Sequence, residues 1–147
     1  MQISSRFTIA IHILICIDLY GEKEPATSES LARSIGAHPV VIRRILGQLR
    51  AELITVARGR EGGAHIARPC GEITLADIFR AVESIGDDTL FSFHEKPNPA
   101  CPIGRSIHTI LDGRLDAIQR AMERAMETVT LADLVKEARM HAAEPSQ

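Results

Sequence analysis

The short motifs of hydrolases and nucleotide-using enzymes are missing: GxSxG, a Walker-type phosphate loop and HExxH occur nowhere in the 147 residues, nor does a clustered carboxylate pair in a cleft-like context. Nucleophilic, phosphoryl-transfer and zinc-hydrolytic chemistry thus lack their usual carriers, and no enzyme is expected. Long hydrophobic runs are missing as well. The most apolar stretch, residues 7–19, is too short to cross a bilayer, contains His12 and Asp18, and follows no basic leader, so a cytoplasmic chain without a membrane partner is expected. Cysteine is scarce: Cys16, Cys70 and Cys101 are an odd number with no CxxC pair, which argues against a disulfide-stapled scaffold and makes reduced thiols the default.

What is present is the composition of a folded globular domain, 45% hydrophobic and 24% charged, with mean hydropathy near zero. A mass of 16.1 kDa suits one domain with one modest core plus an extended element. The formal net charge of −2 conceals a split, because residues 1–70 hold 9 Lys/Arg against 6 Asp/Glu whereas residues 71–147 hold 8 against 13. Between Arg33 and Arg68 there is no lysine, yet seven arginines (33, 43, 44, 50, 58, 60 and 68) face only Glu52 and Glu61. Cations concentrated in this way point to a polyanionic partner.

Residues 7–19 hold no Gly or Pro and are apolar nearly all round, which predicts a helix buried on most sides and ended by Gly21. On such a helix His12 is expected to be a hydrogen-bonded core residue and Cys16 a small hydrophobe. Thr27 or Ser28 caps a second helix carrying Leu31, Ala32 and Ile35, and Gly36 stops it. Only Gly36, Ala37 and His38 separate it from Pro39, which suits the first position of a third helix. There Ile42, Ile45, Leu46, Leu49 and Leu53 form a buried stripe, while Val40, Arg43, Arg44 and Gly47 face the other way.

Two β-prone runs, 53–57 and 65–67, flank a glycine-rich connector and predict a hairpin with Arg58 and Arg60 at its tip. Pro69 closes it. Thr74 then opens a fourth helix through a Thr-x-x-Asp box to Asp77, with Leu75, Ile78, Phe79, Val82 and Ile85 inward and an end near Gly86. Residues 86–100 contain two prolines and no helical period, so they form the one long connector, with Leu90, Phe91 and Phe93 packed against something.

From Pro102 to about Thr128, Ile103, Ile107, Leu111, Leu115, Ile118 and Met122 advance by threes and fours. A helix of that length spans roughly 39 Å at 1.5 Å per residue, more than this domain's own core can cover, so a second copy of the chain is the expected cover. A last capped helix starts at Thr130, and residues 141–147 are a polar tail expected to fray.

The expected fold class is therefore mainly α with a small β-hairpin: a winged helix-turn-helix domain (1–85), a sensing loop (86–101), a dimerisation helix with the C-terminal helix (102–140), and a flexible tail (141–147). In such an arrangement one helix enters the major groove and the wing touches backbone or minor groove. Arginine suits both tasks, since its planar fork pairs with guanine edges and with phosphates. The residues expected at double-stranded DNA are Ser28, His38, Pro39, Val40, Arg43, Arg44, Arg58, Gly59, Arg60 and Gly62; Arg33, Arg50 and Arg68 are weaker candidates.

The segment from Ser30 to Glu83 resembles the Rrf-two (Rrf2) family of bacterial transcription regulators, to which IscR, NsrR and CymR belong. The resemblance runs from Ile3 to about Leu134 and is carried by Arg58-Gly59-x-x-Gly62-Gly63, by Ala67-Arg68-Pro69, by Ile73-Thr74-Leu75-x-Asp77, and by Thr130-Leu131-Ala132-Asp133-Leu134. It implies a homodimeric regulator, a repressor in the reading adopted here, on an operator with two half-sites, whose long helices cross between subunits and whose loop before that helix senses a signal. Iron–sulfur members hold three cysteines in that loop, whereas here it has Cys101 alone, so no cofactor is expected. Cys101 at the start of a long helix, where the dipole favours thiolate, is the redox candidate for an oxidant or small-molecule signal. Two alternatives stand beside this: an iron–sulfur or metal-dependent regulator using His12 and Cys101 with His94 or His108, and a dimeric protein-interaction module that has lost DNA binding.

Overall fold

The computed structural model describes residues 4–60, 62–83 and 90–143. Among them are α1 (Ser5–Tyr20), α2 (Ser28–Ile35), α3 (Pro39–Leu49), the antiparallel strands β1 (Ile54–Ala57) and β2 (Gly63–Ile66), a 3-10 turn (Cys70–Glu72), α4 (Leu75–Val82), α5 (Pro102–Glu127) and α6 (Leu131–Ala143). The architecture is mainly helical with one two-stranded hairpin. The described residues fall into two compact units, one drawn from residues 2–84 and 126–147, the other from 85–125.

In the first unit the core is apolar throughout: Ile13, Leu14, Ile42, Ile45, Ile78 and Leu131 are all fully buried. Each such side chain contributes about 1.5–3 kcal/mol by leaving water. The helix starts follow local chemistry. Thr27 accepts from the backbone N–H of Ser30 while the Ser30 hydroxyl accepts from that of Thr27, and Thr74 and Asp77 form the same reciprocal box at α4. Gly36, at φ 73°, supplies the left-handed residue that ends α2.

Several boundaries differ from the sequence expectation. α3 stops at Leu49; Leu53 is buried from the turn beyond it, where its N–H bonds the Leu49 carbonyl at 2.9 Å. The stripe therefore continues past the helix that seemed to generate it. The hairpin is shifted, pairing Ile54 with Ile66 and Ala57 with Gly63. α4 ends at Val82, after which Glu83 turns extended and ties to Ser4 at 2.6 Å and Arg6 at 3.7 Å; Ile85 and Gly86 lie outside the described residues. Helix α1 is buried along Ala10, Ile13, Leu14 and Ile17 but exposes His12. The expectation of a core histidine is thus corrected: position 12 falls opposite the buried stripe.

α6 returns to the first unit and packs on α1. Leu131 N–H bonds the Ile73 carbonyl at 2.7 Å, Leu75 N–H bonds that of Val129 at 2.9 Å, and Arg139 reaches Asp18 at 3.0 Å. It runs through His141 to Ala143, so those residues continue a helix. In the second unit, Leu90 N–H bonds the Gln119 side chain at 2.9 Å and Phe93 stacks on His108 with centroids 4.3 Å apart. Leu90 and Phe93 are thus held against α5.

Candidate nucleic-acid interface

Residues 36–38 set α3 against α2. Pro39 occupies the first turn of α3, and His38 caps it by accepting the Val40 N–H on Nδ1 at 3.2 Å. An accepting Nδ1 carries no proton, which leaves Nε2–H available to a ligand. From this start Val40 is 58% exposed and Arg43 and Arg44 both face solvent, one turn along the same helix. The buried Ile42, Ile45 and Leu49 hold that face outward.

The wing needs its glycines. Gly59 and Gly63 adopt φ 107° and 136°, which L side chains rarely do, and a Cβ on Gly62 would lie 2.7 Å from the Ala57 carbonyl. Ala64 is buried, and its N–H bonds the Ala26 carbonyl at 3.0 Å, pinning β2 to the loop before α2. Arg58 and Arg60 are thereby carried on the exposed tip. Gly59 and Gly62 owe their identity to this turn whether or not they approach a duplex.

Between α3 and the wing runs a groove of about 510 Å³. Ser28, Arg43, Gly59, Arg60 and Gly62 line it, so half of the expected DNA-contacting set converges there; His38, Pro39, Val40, Arg44 and Arg58 are not among its lining residues. The groove also contains Glu29 and Val56, not singled out from sequence, and Leu46, expected in the buried stripe but half-buried on this wall. Glu29 was open to detection as the acidic residue in the first turn of a helix that packs across α3.

The seven arginines divide by partner. Arg68 pairs with Asp77 at 3.1 Å, bracing the α4 cap, and Arg33 pairs with Glu24 at 3.1 Å. Arg43 donates to Glu29 at 2.8 Å and to Ser28 at 3.2 Å. The Arg43 guanidinium holds the Glu29 carboxyl below its ordinary value. Among the described residues Arg44, Arg50, Arg58 and Arg60 are exposed and have no ionic partner.

The thiols sit in three environments. Cys16 is buried with Sγ 3.5 Å from the Ser34 hydroxyl. Cys70 donates to Asp18 at 3.3 Å, and burial, reinforced by that hydrogen bond, pushes its thiol up to about 11. Cys101 is exposed just before α5, where its N–H bonds the Asn98 carbonyl at 3.2 Å and Gly104 lets the Asn98 backbone lie close. The Cys-Pro-Ile-Gly segment thus packs the helix start while leaving Sγ accessible.

A family model described as Rrf2, iron-dependent transcriptional regulator, matches residues 3–137. Within one chain the donor set does not fit an iron site: among the described residues no three His, Cys, Asp or Glu side chains converge, and two of the thiols are taken up by Ser34 and Asp18. YwnA of Bacillus subtilis, named as an HTH-type transcriptional regulator, is 37% identical over 134 residues, which cover 91% of this chain and 97% of that one. Two solved structures share the fold: IscR of T. potens (TM-score 0.70, 21% identity, covering 100% of this chain and 94% of that one) and CymR of B. subtilis, the global cysteine regulator (0.66, 22%, 93% and 98%). The chain belongs to the Rrf2 family, whose members are DNA-binding transcription regulators and not enzymes.

Proposed function

We propose that this protein is a homodimeric repressor that occupies a sequence-specific operator with two half-sites about one helical turn, ~34 Å, apart, and that it works in the cytoplasm. The observation that carries the DNA-binding part is the groove between α3 and the wing, lined by Arg43, Arg50 and Arg60, of which Arg50 and Arg60 have no ionic partner among the described residues. Val40, Arg43 and Arg44 are assigned to base edges, with His38 at the leading end; Arg58 and Arg60 are assigned to phosphates or a narrow minor groove. Ser28, Pro39, Gly59 and Gly62 complete the proposed contact surface.

The dimer is supported by α5. None of its 26 residues is buried, and Ile103 and Ile118 are 63% and 56% exposed. A one-sided apolar helix left this bare calls for a second α5, with Ile107, Leu111, Leu115 and Met122 completing the seam. For the signal, the accessible Cys101 supports oxidation by peroxide, in which the thiol becomes a sulfenic acid and water is released.

Replacing Arg43 and Arg44 together by Ala is expected to abolish the gel shift of a duplex enriched by the protein from a random library. Replacing Arg58 or Arg60 weakens binding to all duplexes and lowers the salt slope by about one per arginine. An unchanged affinity in the double variant contradicts the assignment of α3 as the reading helix.

A further inference from the structure

Among the described residues lining the groove, Glu29 is the one that carries negative charge. It is not idle there. Oε1 accepts from Arg43 Nη2 at 2.8 Å, Oε2 accepts from the Ser28 hydroxyl at 3.0 Å, and Ser28 Oγ accepts from Arg43 Nε at 3.2 Å, closing a three-residue ring between α2 and α3. Both ends of the ion pair stand in solvent, Arg43 at 58% and Glu29 at 63% exposure. Pairs so exposed are weak, so this ring biases Arg43 without locking it.

We propose that Glu29 is a specificity-determining residue: it offsets the attraction of Arg43 to any phosphate backbone, so that Arg43 is released where the sequence places a two-acceptor base edge within its reach. This rests on the operator reading above and adds to it the device that separates the operator from bulk DNA. A carboxylate facing a duplex is repelled by every phosphate and lowers affinity for all sequences alike. Its benefit is selective, because an uncompensated arginine in the same place would grip random DNA through charge alone. A phosphate offers the guanidinium fork two oxygens as well, but it does so at every sequence and against the repulsion of the Glu29 carboxylate, whereas a guanine edge in the major groove adds O6 and N7 bonds that only the matching sequence supplies and that offset opening the ring. The depressed Glu29 carboxyl keeps its charge across the physiological range.

The test uses the full chain with two probes, a duplex enriched by the wild-type protein from a random library and a scrambled duplex of the same composition, each titrated over a salt series. In Glu29→Gln and Glu29→Ala, binding to the scrambled duplex should tighten roughly three- to tenfold, the slope of log affinity against log salt should steepen by about one, and the ratio between the two duplexes should shrink. In an Arg43→Ala background the same Glu29 substitutions should leave the ratio unmoved, since no arginine remains to be released and relief of the carboxylate's repulsion acts on both duplexes alike. Ratios unaltered by Glu29 substitution, or a change of ratio that persists without Arg43, overturn the proposal while leaving the operator reading intact. Failure of the wild-type protein to enrich any duplex overturns the operator reading and takes this inference with it.

Discussion

Among the arginines of residues 33–68, the partner each side chain finds decides its role. Arg68 is half-buried on Asp77 and serves the α4 cap, whereas Arg44, Arg58 and Arg60 are exposed with no ionic partner among the described residues. The same logic sorts the thiols. Cys70 gives its proton to a hydrogen bond with Asp18 and is held up near 11, Cys16 is buried, and Cys101 is open to solvent. A disulfide reagent at about pH 8 should therefore modify one thiol fast, and Cys101→Ser should abolish that phase. Fast modification of Cys70 instead would contradict the assigned environments. Sequence inspection located the arginines and the thiols but not their partners, because Glu29–Arg43, Asp77–Arg68 and Asp18–Cys70 join positions far apart in the chain through packing that no local pattern records.

Helix starts were the most legible elements, since a cap is written in three or four consecutive residues: Thr27, Thr74 and Thr130 all accept from the backbone as their sequence contexts require. Helix ends were less so. Leu53 satisfies the α3 period yet lies in the turn beyond, because a stripe can be continued by any backbone that returns a side chain to the same core. At α6 the cap is electrostatic. The Thr130 N–H, and then its hydroxyl, holds the Asp133 carboxyl below its ordinary value of 3.8. A depressed native value means that the contribution is complete above the unfolded value and is lost as pH falls through the native one. Asp133→Asn should thus melt below the parent at pH 7, with the two melting temperatures converging as pH falls below the ordinary carboxyl value of 3.8. A gap that stays constant with pH would show that the carboxylate charge is not the cause.

At the scale of the whole molecule, the account joins a winged-helix unit that grips one half-site to a helix that recruits the second. The apolar period of α5 was legible from sequence, as was its excess length, but Ile110, 44% exposed, belongs to the same uncovered set and was passed over. Ile118 touches little within the chain, so Ile118→Glu should leave the fold and its circular dichroism unchanged while shifting the light-scattering mass from twice 16.1 kDa to the monomer value. A variant that stays dimeric would move the interface elsewhere. The most direct measurement for the central claim is selection of duplexes from a random library by the full-length protein, followed by footprinting and stoichiometry on the enriched sequence. The account predicts a two-fold-related motif, protected on one face over halves about one helical turn apart and bound by two chains. No enrichment over random DNA, or a single unrepeated site occupied by one chain, would contradict it.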